Sequence, residues 1–125
     1  MKRNRVQLWV VLIAIFLITA CATSGESTFS RDAYRALSIS GNTYNTSMKA
    51  MADLYQQGVI GDGDKALALE YGTYFWIAYD QAVDAMEVYI VAESLEGRAK
   101  VEMALKGLAN ALEKFMAYVA PLLNK

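Results

Sequence analysis

The sequence has no histidine, one cysteine and one proline. Without histidine, the chain lacks the commonest general base and the commonest transition-metal ligand. A single cysteine, Cys21, excludes an intrachain disulfide framework. The single proline, Pro121, should loosen or end the last helix near Ala120. Equally absent are a G-x-S-x-G elbow, a P-loop and an H-E-x-x-H pair, so no nucleophile or metal motif suggests an enzyme.

The 125 residues suffice for one domain, and 55% of them are apolar, enough for a packed core. Formal net charge is −1, but its distribution matters more. Removing residues 1–20 takes away Lys2, Arg3 and Arg5 and leaves nine basic against thirteen acidic side chains, a balance of −4. A mildly acidic domain without a basic stripe is a poor nucleic-acid binder.

Residues 1–5, "MKRNR", form a positively charged start, and Leu8 to Ile18, "LWVVLIAIFLI", is an unbroken apolar run of eleven residues. That length suits a signal peptide and is short for a bilayer span. The run closes on Ile18-Thr19-Ala20-Cys21: an aliphatic residue, two small ones, then cysteine. This arrangement resembles the lipobox of bacterial lipoproteins and covers about the first fifth of the chain. The resemblance implies cleavage between Ala20 and Cys21, a thioether-linked diacylglycerol on Cys21 and, often, acylation of the new amino group. Two or three acyl chains anchor a protein stably, since each buried CH₂ contributes about 0.8 kcal/mol. Ala22 stands where an aspartate tends to retain enteric lipoproteins in the inner membrane. In a Gram-negative source the resemblance therefore implies an outer-membrane lipoprotein facing the periplasm.

Residues 1–20 are thus expected to be a signal peptide. Residues 21–28, Cys21 and "ATSGEST", should be a lipidated cysteine with a small, polar, flexible tether. Residues 29–125 read as all-α, an up-down-up three-helix bundle. The first helix is expected over 29–57, capped by Ser27, Thr28 or Ser30 and stopped by Gly58. Its seam of Tyr34, Leu37, Gly41, Tyr44, Met48, Met51 and Tyr55 alternates spacings of three and four. Its middle, "SISGNTYNTS", has poor helix propensity and would depend on packing.

"GDGD" at Gly61 to Asp64 supplies a turn and cap for a second helix over 63–92. The inward face expected there is Leu67, Tyr71, Tyr74, Phe75, Ala78, Ala82, Ala85, Met86 and Tyr89. A third helix over 95–120, capped by Ser94, carries the cleanest stripe: Val101, Leu105, Leu108, Leu112, Phe115, Val119 and Leu122. Glu96–Lys100 and Glu102–Lys106 are i,i+4 pairs on its outer side. Regular seams of this kind also suit a dimeric or trimeric coiled coil.

Candidate sites are few. "DGDK" at Asp62 to Lys65 has part of a calcium-loop pattern but lacks the ligand spacing and the closing glutamate, and helix capping accounts for both aspartates. Asp80, Asp84 and Glu87 share one face of the second helix and read as a solvated surface. No cofactor is expected beyond the acyl chains on Cys21. The anomaly is "YGTYFWIAY" (Tyr71 to Tyr79), where five of nine residues are aromatic. On a helical wheel Trp76 falls outside the core sector, beside Leu69, Thr73 and Asp80. Either Trp76 covers a groove and shields the core, or these four residues form a docking surface for another protein or a second copy.

The expected function is a membrane-anchored envelope lipoprotein acting as a structural or protein-interaction module, without enzymatic activity. An inhibitor or immunity-type role shares the same features. The alternative is a carrier of a small apolar ligand or lipid in an aromatic inter-helix cavity. It would give partners to the hydroxyls of five expected core tyrosines, Tyr34, Tyr44, Tyr71, Tyr74 and Tyr89. The N-terminal reading makes a direct prediction. Mass spectrometry of the mature protein should find residues 21–125 plus acyl mass. Intact residues 1–20, or an unmodified Cys21 thiol, would refute it.

Overall fold

The computed structural model describes residues 26–124. Residues 1–25, with the expected signal peptide and Cys21, lie outside them. Three helices make up the described chain: α1 (Glu26–Gln56), α2 (Asp62–Ala92) and α3 (Leu95–Leu123). Each helix packs on the other two in an up-down-up bundle. The α2–α3 interface is the most extensive, and α1 lies along both.

Local chemistry explains where the helices stop. Gly58, at φ 74°, is the residue that turns the chain out of α1. Its N–H donates to the Tyr55 carbonyl at 3.1 Å and the Val59 N–H donates to the Leu54 carbonyl at 2.9 Å, which is a Schellman ending. The α2–α3 turn needs only Glu93 and Ser94. Glu93 takes the left-handed conformation, and the Ser94 hydroxyl accepts from the Gly97 N–H at 2.9 Å to cap α3.

Three termini differ from the sequence reading. α1 begins at Glu26, so Ser27, Thr28 and Ser30 lie within it rather than capping it, and residues 26–28 of the expected tether are helical. The residue capping α2 is Gly61, which offers no side chain, and Asp62 and Asp64 stand in the first turn instead. There they favour the helix dipole. Each also accepts a hydrogen bond from another helix or its end: Tyr55 donates to Asp62 at 2.7 Å, and Tyr118 to Asp64 at 3.1 Å. Finally, α3 runs through Pro121 to Leu123. A proline this close to a terminus forfeits one hydrogen bond without breaking a continuing helix. Burial of Leu122 holds the last turn, and the Asn124 amide donates to the Ala120 carbonyl at 3.0 Å.

The core confirms the α3 stripe in full, from Val101 to Leu122. On α1 and α2 most of the expected face is buried, with Leu37, Gly41, Tyr44, Met51, Phe75, Ala82, Met86 and Tyr89 inside, but the centre of the buried face is shifted by about 50° from the expected one, at 100° per residue. The α1 seam is Phe29, Ala33, Ala36, Ser40, Tyr44, Ser47 and Met51, together with Leu37. Tyr34 is half-exposed, as are Leu67 and Tyr74 on α2, where Ala68 and Gly72 are buried in their place. Small residues, among them Ala33, Ala36, Ser40, Ala68 and Gly72, alternate on these faces with large buried ones such as Phe29, Tyr44, Phe75 and Met86.

Phe29 is fully buried and fastens the start of α1. Its ring meets Tyr89 edge-on at 5.1 Å, and the Arg98 guanidinium lies 4.6 Å over it. On the outer side of α3, Lys100 pairs with Glu96 at 3.4 Å, whereas Glu102 pairs with Arg98 at 3.3 Å.

α1 carries the weaker interfaces and the poorer propensity. It also holds a fully buried hydroxyl, Ser40 Oγ, without a hydrogen-bond partner among the described residues. Such a group costs about 1–3 kcal/mol when buried. We therefore expect amide hydrogen exchange to show the middle of α1 opening at lower free energy than the paired faces of α2 and α3. Protection of residues 38–47 equal to that of 101–115 would contradict this.

Candidate partner-binding site

The aromatic stretch of α2 is organised around a residue of α1. The Tyr44 ring stacks on Phe75 with centroids 4.5 Å apart and planes 4° from parallel. It tilts against Phe115 of α3 at 4.8 Å and receives Trp76 edge-on at 5.3 Å. Tyr79 completes the group, 5.1 Å from Trp76 and 6.0 Å from Phe75. Burial raises the Tyr44 phenol above its ordinary pKa of 10.0, partly offset by a hydrogen bond with Trp76. Such a cluster contributes through area first, with about 0.5–1.5 kcal/mol more for each well-oriented ring pair.

Gly72 makes this packing possible. A Cβ there would overlap the Tyr44 phenol oxygen and come within 3.2 Å of its Cζ. Gly41 differs: a Cβ would meet only Tyr79, at an ordinary 3.6 Å. Of the two glycines only Gly41 belongs to the expected seam. The spacing of Gly72 between Ala68 and Phe75 was the available signal.

Of the four candidate partner-binding residues, all lie on exposed positions of α2. Leu69 and Asp80 face outward, and the exposed Thr73 donates its hydroxyl back to the Leu69 carbonyl at 3.0 Å. Trp76 is 38% exposed. Its position on the flank facing α1, rather than on the outermost strip, follows from the rotation of the α2 face. Its ring therefore both covers Tyr44 and presents an edge to solvent.

Two clefts open on the bundle surface, and Trp76 of this strip borders the first. One, of about 420 Å³, runs between α1 and α2 and is bordered by Tyr34, Asn42, Asn45, Trp76, Tyr79 and Glu87. The other, of about 830 Å³, lies between α2 and α3 under Tyr71, Tyr74 and Tyr118, with Asn110 and Lys114 at its rim. Tyr71 and Tyr118 stack at 5.3 Å along it. Both are surface clefts rather than closed chambers. Tyr34 and Tyr74 are not core tyrosines: solvent reaches both side chains. Tyr55 and Tyr118 find carboxylates.

Among the described residues, no group of three or more acidic or sulfur ligands could hold a metal ion. No described helix is long and apolar enough to cross a membrane. Comparison of the chain with protein families, with curated proteins and with solved structures finds no match in any of the three.

The two glycines give a sharp test. Gly72→Ala should destabilise by about 1–3 kcal/mol, the usual cost of overpacking, whereas Gly41→Ala should be neutral or stabilising by up to about 1 kcal/mol. Tyr44→Phe should recover part of the Gly72→Ala loss by removing the overlapping oxygen. Urea denaturation of the four proteins and the double variant measures this. Equal effects at both glycines would remove the close approach at Gly72 from the account.

Proposed function

We propose that this protein is a small envelope lipoprotein, held to the membrane by acyl chains on Cys21, whose helical bundle acts as a non-enzymatic protein-interaction module. The anchoring part rests on the basic start, the eleven-residue apolar run and Ile18-Thr19-Ala20-Cys21. The observation that carries the interaction part is the strip Leu69, Thr73, Trp76 and Asp80. It combines two exposed large apolar side chains, Leu69 and Trp76, with the Asp80 carboxylate on one flank of α2. Aromatic side chains beside charged or polar rims are the usual centres of protein interfaces. An isolated apolar residue on a surface needs no explanation, but a contiguous strip does.

A carrier function is the second reading, and the α2–α3 cleft favours it. Its volume suits a small ligand, and its tyrosines offer ring faces with Lys114 at the edge. The exposure of Tyr34 and Tyr74 removes part of its motive, because those hydroxyls need no interior partner.

A photo-crosslinking residue at position 73 of the full-length protein, expressed in its own envelope, separates these readings. We expect one discrete adduct from position 73, heterologous or a dimer, and none from position 113 on the outer side of α3. The same adducts from both positions, or none from position 73, would remove the strip from consideration. Trp76→Ala should reduce the adduct but also loosen the Tyr44 cluster, so Asp80→Asn is the cleaner companion variant.

A further inference from the structure

The two most exposed large apolar side chains among the described residues are Val91 at 88% and Leu95 at 83%. They flank the two-residue turn between α2 and α3; Val88 stands exposed one turn behind Val91, and Ile90, next to Val91 in the chain, is exposed as well. The turn is held rigidly: Glu93 is fixed in the left-handed conformation with its N–H on the Tyr89 carbonyl, and Ser94 caps α3. The opposite end of the bundle is polar by comparison, with Gln56, Gln57, Asp62 and Asp64 around one exposed valine, Val59.

This apolar tip lies at the end where α1 begins. Phe29, in the first turn of α1, packs on Tyr89 in the last turn of α2 and under Arg98 in the first turn of α3. Cys21 precedes Glu26 by five residues. Those five span at most about 18 Å when fully extended. A lipid on Cys21 therefore keeps the tip within about 18 Å of the membrane.

We propose that the α2–α3 hairpin tip, through Val91 and Leu95 backed by Val88 and Ile90, inserts into the bilayer interface as a second membrane contact beside the Cys21 lipid. This rests on the anchoring reading above. Insertion is apolar rather than electrostatic. Around the tip, Lys100 is paired with Glu96, and Arg98 with Glu102, while Glu93 adds a negative charge at the apex. No basic excess remains to recruit anionic headgroups. The carboxylates keep the insertion shallow, at headgroup level, while the valine and leucine side chains reach the acyl boundary. Linking a weak contact to a strong one on a short tether makes the weak one effective, because its local concentration is set by the tether. The tip thus fixes how the bundle stands on the surface.

The test uses the mature lipidated protein reconstituted into phosphatidylcholine vesicles. An environment-sensitive fluorophore is attached through Val91→Cys or, in the polar turn, through Gln57→Cys. A thioether-bound Cys21 does not compete for the label. The label at position 91 should brighten severalfold on reconstitution. Nitroxide lipids labelled near the headgroup should quench it, at high salt as at low. The label at position 57 should do neither. Leu95→Asp should abolish the quenching at position 91 with an unchanged circular dichroism spectrum. A label at position 91 that stays in water on vesicle-bound protein would overturn the proposal and leave the anchoring intact. A free Cys21 thiol, found by mass spectrometry with the protein left in the supernatant, would overturn both. A label protected without vesicles as protein concentration rises would assign the tip to a second copy instead.

Discussion

The approach of α1 to α2 at Gly72 governs much of the bundle. With no Cβ at that position, the Tyr44 phenol lies across the α2 backbone, and its ring fills the space between Phe75 and Phe115. One side chain of α1 thereby touches both other helices. α1 otherwise offers them mainly Phe29 at its start, Leu37 and Met51, and a series of alanines and serines. That face is thin in apolar area, at about 25 cal/mol per Å² buried, so a few aromatic contacts carry much of the attachment. The same ring seats Trp76, which links the docking of α1 to the surface that the proposed partner would meet.

The ends of the bundle follow a different logic. At one, tyrosines donate to the two aspartates that open α2, tying Tyr55 of α1 and Tyr118 of α3 to one helical turn. At the other, Phe29, Tyr89 and Arg98 gather all three helices around a buried ring. Polar fastening at one pole and apolar fastening at the other leave the poles chemically unlike. The unlikeness continues outward, into glutamines and acids on one side and into valine and leucine on the other.

Much of this was legible in the residues. The three helices, the Gly58 stop, the Ser94 cap and the whole α3 stripe can be read from spacing and turn chemistry, because on α3 the large apolar side chains other than Leu95 and Met103 repeat at spacings of three and four. On α1 and α2 the large side chains of such a stripe are not all buried. Tyr34, Leu67 and Tyr74 stand where a periodic stripe would place them, yet they are half-exposed, and alanine, serine and glycine take their places beside the buried aromatics. A reading weighted by side-chain size follows the aromatics and turns the face by half a quadrant or more. Phe29 was missed for a related reason: it partners Ala33 and Ala36, which carry little hydrophobic signal. For the candidate site, the identity of Leu69, Thr73, Trp76 and Asp80 as exposed positions was legible. The partial burial of Trp76 against Tyr44 was not, since it depends on the rotation of α2 and on a glycine four residues earlier.

The length of α2 has a geometric consequence. Its 31 residues extend about 46 Å at 1.5 Å per residue. Measured from Ala92, Asp80 lies about 18 Å along the axis, Trp76 about 24 Å and Leu69 about 35 Å. With the hairpin end held against a bilayer and the helices upright, the strip would stand clear of the lipid headgroups. A membrane protein confined to the hydrocarbon layer could not touch it. Only a partner with a domain rising well above the surface, or one wholly in the aqueous compartment, would reach Trp76. Tilting the bundle would lower the strip toward the surface and change which of these partners has access.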